Sequence, residues 1–386
     1  MMLIGVIGKP SSGKSSFFKA ATMIDVAIAD YPFTTIKPNT GVGYVVIDCV
    51  CKEYGVKCSP NNFLCIEGKR FIPVKLIDVA GLVPDAHLGK GMGNQFLDDL
   101  RQADCLIHVV DSSGLTDAEG KPAKDHDPEE DVKFLEREID LWFAKIIERG
   151  MEKYLKKKQF GKVEVLQVLS EHLSGLGISK EQIKQALDQH GIDDLEEFSF
   201  HLRKISKPII VAANKIDLPS SEENLKKMKE DFPELTIIPT CAAAEISLKI
   251  AKEKGVIKCQ NNIIEIIGQV DDKQKKGLEF IQKNILEKYG STGVQDCLNK
   301  AVFDVLGYIV VYPVADVGKL ADKKGNVLPD AYLVRKGTTM KEFAFMIHSD
   351  IGEKFIGGLD AKKKIKLGAD YELKNNDVVE ILFQKR

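Results

Sequence analysis

The sequence predicts an α/β protein: a doubly wound, mainly parallel sheet carrying a helical insertion, followed by a small α+β domain. Three observations predict it. The apolar run Leu3-Ile4-Gly5-Val6-Ile7 passes through the glycine-bounded loop Gly8-Lys9-Pro10-Ser11-Ser12-Gly13-Lys14-Ser15 into the helix-like Ser16-Phe17-Phe18-Lys19-Ala20. Strand-like apolar runs recur at residues 71–77, 105–110, 208–213 and 235–239. Residues 120–206 instead space their apolar side chains at helical steps, and alternation returns after Leu306. The expected division is residues 1–119 with 207–304 for the sheet domain, 120–206 for the insertion and 305–386 for the terminal domain.

Composition fits that size. The chain has 386 residues, 44% hydrophobic and 29% charged, enough for two or three domains with full cores. A formal net charge of −2 provides no dominant field for nucleic acid or membrane, so contact with a polyanion must use local patches. No apolar run reaches the roughly 18 residues of a membrane span, and the chain opens directly on a core strand. A cytoplasmic monomer without membrane contact is expected.

The first loop has the G-x-x-x-x-G-K-[ST] spacing between a strand and a helix, the arrangement that wraps backbone N–H groups around phosphates. Gly8 and Gly13 permit close backbone approach, and Lys9, Pro10, Ser11, Ser12 and Ser16 complete the cradle. Lys14 is expected to reach the β- and γ-phosphates and Ser15 to ligate Mg²⁺. Next, Asp30-Tyr31-Pro32-Phe33-Thr34-Thr35-Ile36-Lys37-Pro38-Asn39 has prolines near both ends and no helical period. It suits a loop that orders around a ligand, with Thr35 completing the Mg²⁺ shell and sensing the γ-phosphate. The run at 71–77 ends in Asp78-Val79-Ala80-Gly81. A carboxylate at the carboxyl end of a buried strand can partner the metal, and Gly81 can offer its N–H to the γ-phosphate. Gly89, Gly91 and Gly93 make the following stretch a candidate second switch.

The run at 208–213 ends in Asn214-Lys215-Ile216-Asp217. The Asp217 carboxylate can accept two hydrogen bonds from the N1–H and N2–H₂ edge that guanine has and adenine lacks, while Asn214 and Lys215 brace the loop and cover the base. Leaving such a carboxylate unmatched can discriminate by about 10⁴. Thr240, Cys241 and Ala242, after the last run of the sheet, could present backbone N–H groups to the base. The four elements stand in the order expected of a GTPase.

Within the insertion, Val132, Leu135, Ile139, Trp142 and Ile146 form a stripe expected to pack inside it, and Ser179 with Gln182 forms a capping-box pattern. Lys153, Lys156, Lys157, Lys158 and Lys162 read by default as a solvated basic face, with polyanion contact as the other reading. Residues 244–300 read as helical. Four strands and the helix at 338–348 make up the terminal domain. Of eight cysteines, Cys105, Cys241, Cys259 and Cys297 read as reduced packing residues. Cys49, Cys51, Cys58 and Cys65 lie close together and could supply four thiolates to zinc. They lack the paired C-x₂-C knuckles of a strong zinc signal, and plain reduced cysteines are the alternative.

Tyr31-Pro32-Phe33-Thr34-Thr35, Asp78-Val79-Ala80-Gly81-Leu82-Val83-Pro84 and Gly91-Met92-Gly93-Asn94-Gln95-Phe96-Leu97 resemble the switch regions of Obg-related GTPases, in particular the YchF-like branch. A helical insert in the same place, and a tail similar to a TGS domain with Leu328-Pro329-Asp330 and Ile347-His348, extend the likeness over essentially the whole chain. The resemblance implies a P-loop G domain, a coiled-coil-like arm and a β-grasp TGS domain. It further implies bound GTP or GDP with Mg²⁺, and association with ribosomes or RNA through arm and tail. Family members that prefer ATP have an altered base loop, whereas Asn214-Lys215-Ile216-Asp217 is the guanine form. Ser11 stands where many members place an asparagine that helps bind activating K⁺, which weighs against carrying K⁺ stimulation over. Asp85 stands where the family often has glycine, so a stiffer second switch is expected.

Leu82 occupies the position where Ras-like enzymes orient water with glutamine, so slow intrinsic hydrolysis is expected. His87, in the same segment, is the candidate for reaching the water, against the reading of an uninvolved exposed histidine. A slow nucleotide-dependent switch, a ribosome- or RNA-binding adaptor with a structural nucleotide, and an ATPase of the same fold are the readings carried forward.

Overall fold

The structure is a computed structural model that describes residues 2–23, 39–61, 64–79, 99–155 and 162–384. Thr35, Gly81, Leu82, Asp85, His87 and Lys156 to Lys158 lie outside the described residues. The chain forms two compact units, residues 1–43 with 75–297 and residues 44–74 with 298–386.

The larger sheet has the strands β1 (Leu3–Ile7), β2 (Thr40–Asp48), β3 (Leu64–Ile66), β4 (Lys69–Asp78), β5 (Cys105–Asp111), β6 (Ile209–Asn214) and β7 (Thr236–Pro239); β1 and β5 to β7 lie wholly in the first unit. Their order is β2-β4-β1-β5-β6-β7, with β3 on β4. β1 runs parallel to β4 and β5, as do β5 to β6 and β6 to β7, with Ile4 opposite both Leu76 and Cys105. Every residue of β5 is buried, which explains its unbroken apolar run. Parallel strands in register bring their carboxyl ends to one edge, so Gly8, Asp78, Asp111, Asn214 and Thr240 all leave the sheet on the same side, where doubly wound folds bind ligands.

Between β5 and β6 the chain forms α2 (Pro128–Leu155), α3 (Lys162–Leu173), α4 (Lys180–His190) and α5 (Leu195–Ser206), after α1 (Lys14–Thr22). The stripe on α2 does not stay within the insertion as expected. Val132 packs with Val110 and Val211, and Leu135 and Ile139 pack with Ile7, Ile77 and Leu106 of the sheet. Only from Trp142 and Phe143 onward does α2 join Leu169, Leu173, Phe198 and Leu202 in the arm's own core. The reason is length: a helix of 28 residues spans about 42 Å at the helical rise, too far to bury one face against one partner. The capping box of Ser179 and Gln182 forms, and the buried Arg203 is held by Asp140 at 2.6 Å and Glu136 at 3.4 Å.

Residues 244–300 are not helical throughout. A hairpin of β8 (Ile257–Gln260) and β9 (Ile263–Ile266) turns through Asn261 and Asn262 at φ 49° and 64°. The two asparagines tolerate the left-handed backbone of a tight hairpin turn, a signal the polar composition obscured.

The second unit holds the five-stranded sheet β11-β10-β14-β12-β13, built from β10 (Tyr308–Val314), β11 (Tyr332–Arg335), β12 (Phe355–Asp360), β13 (Lys366–Leu367) and β14 (Asp377–Phe383). β10 and β14 are parallel and the other pairs antiparallel. A helix over Met340–Ile347, started by a Thr339–Glu342 capping box, buries Met340 and Phe343 against Val311, Val334 and Val379. β12 was not expected, because Gly357-Gly358 in its middle breaks the strand pattern. Residues 44–74, expected with the nucleotide domain, group here instead: Ser59 N–H donates to Val327 O at 2.8 Å and Arg70 Nη2 to Pro329 O at 2.9 Å. Among the described residues no helix is long and apolar enough to cross a membrane.

Candidate nucleotide-binding site

The loop between β1 and α1 is shaped by three left-handed residues, Gly8 at φ 154°, Ser11 at 60° and Gly13 at 89°. Successive turns of this kind collect backbone N–H groups into an anion-binding concavity at a helix N-terminus. Ser11, Ser15 and Ser16 are exposed there. The two glycines are demanded by neighbouring protein as much as by any ligand. A Cβ at Gly8 would lie 2.5 Å from Val109 O of β5, and one at Gly13 would collide with Asn214 Nδ2. The sequence argument, that a side chain would take the phosphate's place, is therefore only part of the reason.

Lys14 forms an ion pair with Asp78 at the end of β4. That contact brings the expected phosphate-binding lysine, the metal-partnering carboxylate and Ser15 to one corner of the edge. Hydroxyl and carboxylate oxygens are the donors a hard cation takes, so the described residues fit Mg²⁺. Lys9 behaves differently from expectation. It is buried, with Nζ 2.7 Å from Asp131 on the first turn of α2 and 2.7 Å from Thr116 O. Only its backbone belongs to the loop; its side chain ties the loop to the arm's first helix.

Asn214 connects the two halves of the site. Its Nδ2 donates to Ser12 O at 3.0 Å, and its Oδ1 accepts from Ala242 N–H at 3.1 Å. One buried amide thus fastens the phosphate loop to the start of α7 (Ala242–Glu253), using α6 for Ser221–Asp231. Lys215, at φ 63°, braces rather than floats: its Nζ lies 2.7 Å from Asp111 Oδ2. Asp217 accepts from Cys241 Sγ at 3.2 Å, and burial, reinforced by that carboxylate, pushes the Cys241 thiol up to about 12. The N–H groups expected to meet the base are engaged inside the protein. Thr240 N–H donates to Ala213 O, Cys241 N–H to Thr292 O and Ala242 N–H to Asn214. Cys241 and Ala242 thus hold Asp217 and Asn214, and Thr240 ties the segment to the neighbouring β6.

Sequence reasoning missed Asp111. Its buried carboxylate accepts from Ser113 Oγ at 2.5 Å, Thr116 Oγ1 at 2.7 Å and Lys215. Burial alone would raise this carboxyl; the hydrogen bonds from Lys215, Ser113 and Thr116 outweigh it and hold it below the usual carboxylate range. Ser112 Oγ donates to Asn214 O at 2.6 Å, and Ser221 Oγ to Lys215 O at 2.7 Å. The available signal was Asp111-Ser112-Ser113-Gly114 directly after the central strand.

Family models match as a 50S ribosome-binding GTPase over residues 3–144, an Obg-like GTPase YGR210-like G4 motif-containing domain over 212–316, and a TGS domain over 323–383. An uncharacterised GTP-binding protein of Methanocaldococcus jannaschii is 51% identical, covering 99% of both chains. The ribosome-binding ATPase YchF of Bacillus subtilis is 28% identical over 98% of both. The chain belongs to the YchF-like branch of the Obg-related GTPases. As in this branch, a P-loop nucleotide-binding domain precedes a TGS domain. A crystal structure of a GTP-binding protein from Pyrococcus horikoshii, 38% identical, superposes with a TM-score of 0.80 over 99% of this chain and 100% of that one. The Schizosaccharomyces pombe YchF GTPase, 21% identical, shares the fold at a TM-score of 0.61 over 99% and 97%.

Replacing Asn214 by alanine leaves Ser12 O and Ala242 N–H without their partner. The expected loss is about 1.4–2.8 kcal/mol of GDP binding, read as a roughly 10- to 100-fold weaker affinity by titration calorimetry, with the far-ultraviolet circular dichroism unchanged.

Proposed function

We propose that this YchF-like chain binds GTP or GDP with Mg²⁺ and hydrolyses GTP slowly, acting as a nucleotide-dependent switch on ribosomes or their RNA. The observation that carries the reading is the Asn214 clasp, which sets an intact Asn-Lys-Ile-Asp loop against the phosphate loop with the Asp217 carboxylate held by Cys241. The loop N–H groups and Lys14 bind and orient the phosphates; Lys14 exchanges its Asp78 partner for them. Ser15, with Thr35 and Asp78, would hold Mg²⁺, which would supply positive charge to offset that developing on the phosphates. Gly81 donates to the γ-phosphate, and His87 is the residue proposed to reach the attacking water. With Leu82 beside Gly81, water positioning waits on a partner surface, hence slow turnover in the free protein. K⁺ stimulation is not proposed.

Relatives named ribosome-binding ATPases favour a second reading, in which the base is adenine. Competition against labelled GDP separates the two. GTP is expected to outcompete ATP by at least about 10², a preference lost in Asp217→Asn as the unmatched-carboxylate argument requires. Equal competition by ATP in the unaltered chain would overturn the guanine assignment. Ribosome association is proposed from the relatives' names together with the helical arm and TGS domain. Cosedimentation with ribosomal subunits is expected to be stronger with a non-hydrolysable GTP analogue than with GDP, and to weaken steeply with salt. Equal affinity in both states would favour an adaptor whose nucleotide is structural, because a ligand without preference shifts no equilibrium.

A further inference from the structure

Cys49, Cys51, Cys58 and Cys65 belong to the second unit and to none of the nucleotide loops. Cys49 and Cys51 follow β2 on a turn closed by Lys52 N–H to Cys49 O at 3.2 Å and Val56 N–H to Cys51 O at 3.0 Å. Cys58 comes from the chain beyond, and Cys65 is the middle residue of β3. All four Sγ atoms lie within 4.8 Å of one another, and those of Cys51 and Cys65 are 3.9 Å apart.

That spacing selects among the chemistries open to four thiols. A tetrahedral zinc with Zn–S bonds of about 2.3 Å sets its sulfurs about 3.8 Å apart. A disulfide would need about 2.05 Å, and all four cysteines are free. An iron–sulfur cluster spreads its thiolates over several irons, further than this group extends. The surroundings match the charge. Four thiolates around Zn²⁺ carry a net double negative charge, and Arg70 stands directly across β3–β4 from Cys65, fully buried, anchored to Pro329 O and 5.9 Å from the Tyr312 ring. A fixed cation beside the ligands offsets part of that charge.

We propose that Cys49, Cys51, Cys58 and Cys65 bind one structural Zn²⁺ in a closed tetrahedral thiolate site. The spacing C-x-C-x₆-C-x₆-C lacks paired knuckles; the turn after β2 and the β3–β4 hairpin supply the closure that the spacing does not. On binding, four S–H bonds give way to four Zn–S bonds and the protons pass to solvent. The metal staples the excursion whose Ser59 and Asn61 N–H groups donate to Val327 O and Pro329 O.

The test uses the full chain purified under reducing conditions without chelator from zinc-supplemented cells. Elemental analysis is expected to find about one zinc per chain. Exchange with Co²⁺ is expected to produce thiolate-to-cobalt charge transfer and strong tetrahedral ligand-field absorption. The double variant Cys58→Ser, Cys65→Ser is expected to lose both signals. His201→Ala is expected to keep them, which separates the site from the other grouping of potential ligands, His190, Glu197 and His201. A metal-free chain, iron in place of zinc, an octahedral cobalt spectrum, or a double variant retaining its zinc would each overturn the proposal. The cobalt spectrum of the unaltered chain decides the matter even if the double variant does not fold.

Discussion

The nucleotide site depends on one side-chain amide. Asn214, at the end of β6, has both ends of its amide occupied, one by the phosphate loop and one by the start of α7. Two weak hydrogen bonds become structurally decisive here because the groups they join are buried, and a buried polar group without a partner costs more than the bond itself contributes. The loop that would grip phosphate and the loop that would read the base are thereby held by a single residue. Gly13 shares this constraint, since any Cβ would displace the Asn214 amide.

Around that clasp the sheet edge carries further buried anchors among the described residues. Asp111 gathers Ser113, Thr116 and Lys215 on one buried carboxylate, so the loop after β5 and the base loop are anchored to the same group. Lys9 performs a parallel task toward the arm, crossing from the phosphate loop to Asp131 in the first turn of α2. The first turn of that helix is thereby tied to the loop by one ion pair. The arm's far portion keeps its own apolar core, so this connection is made at its root.

Much of this was legible in the sequence, for identifiable reasons. Parallel core strands must be apolar on both faces, so β1, β5 and β6 stood out as runs, and the phosphate loop and Asn214-Lys215-Ile216-Asp217 declared themselves by following them. Residues whose importance comes from partners distant in sequence were not legible. The inward turn of Lys9 requires Asp131, and the role of Asp111 requires Lys215, each more than a hundred residues along the chain. Likewise the stripe on α2 revealed a buried face but not which surface would bury it. β12 was hidden by its glycines, and the β8–β9 hairpin by polar residues that make good turns and poor strand signals.

The cooperation of the two halves of the site is most directly measured by hydrogen exchange of the unaltered chain, titrated with GDP in the presence of Mg²⁺. The amides of the phosphate loop and those of residues 240–242 are expected to slow together, with the same dependence on GDP concentration. Protection confined to one of the two segments, or to neither, would contradict the view that Asn214 makes them a single unit.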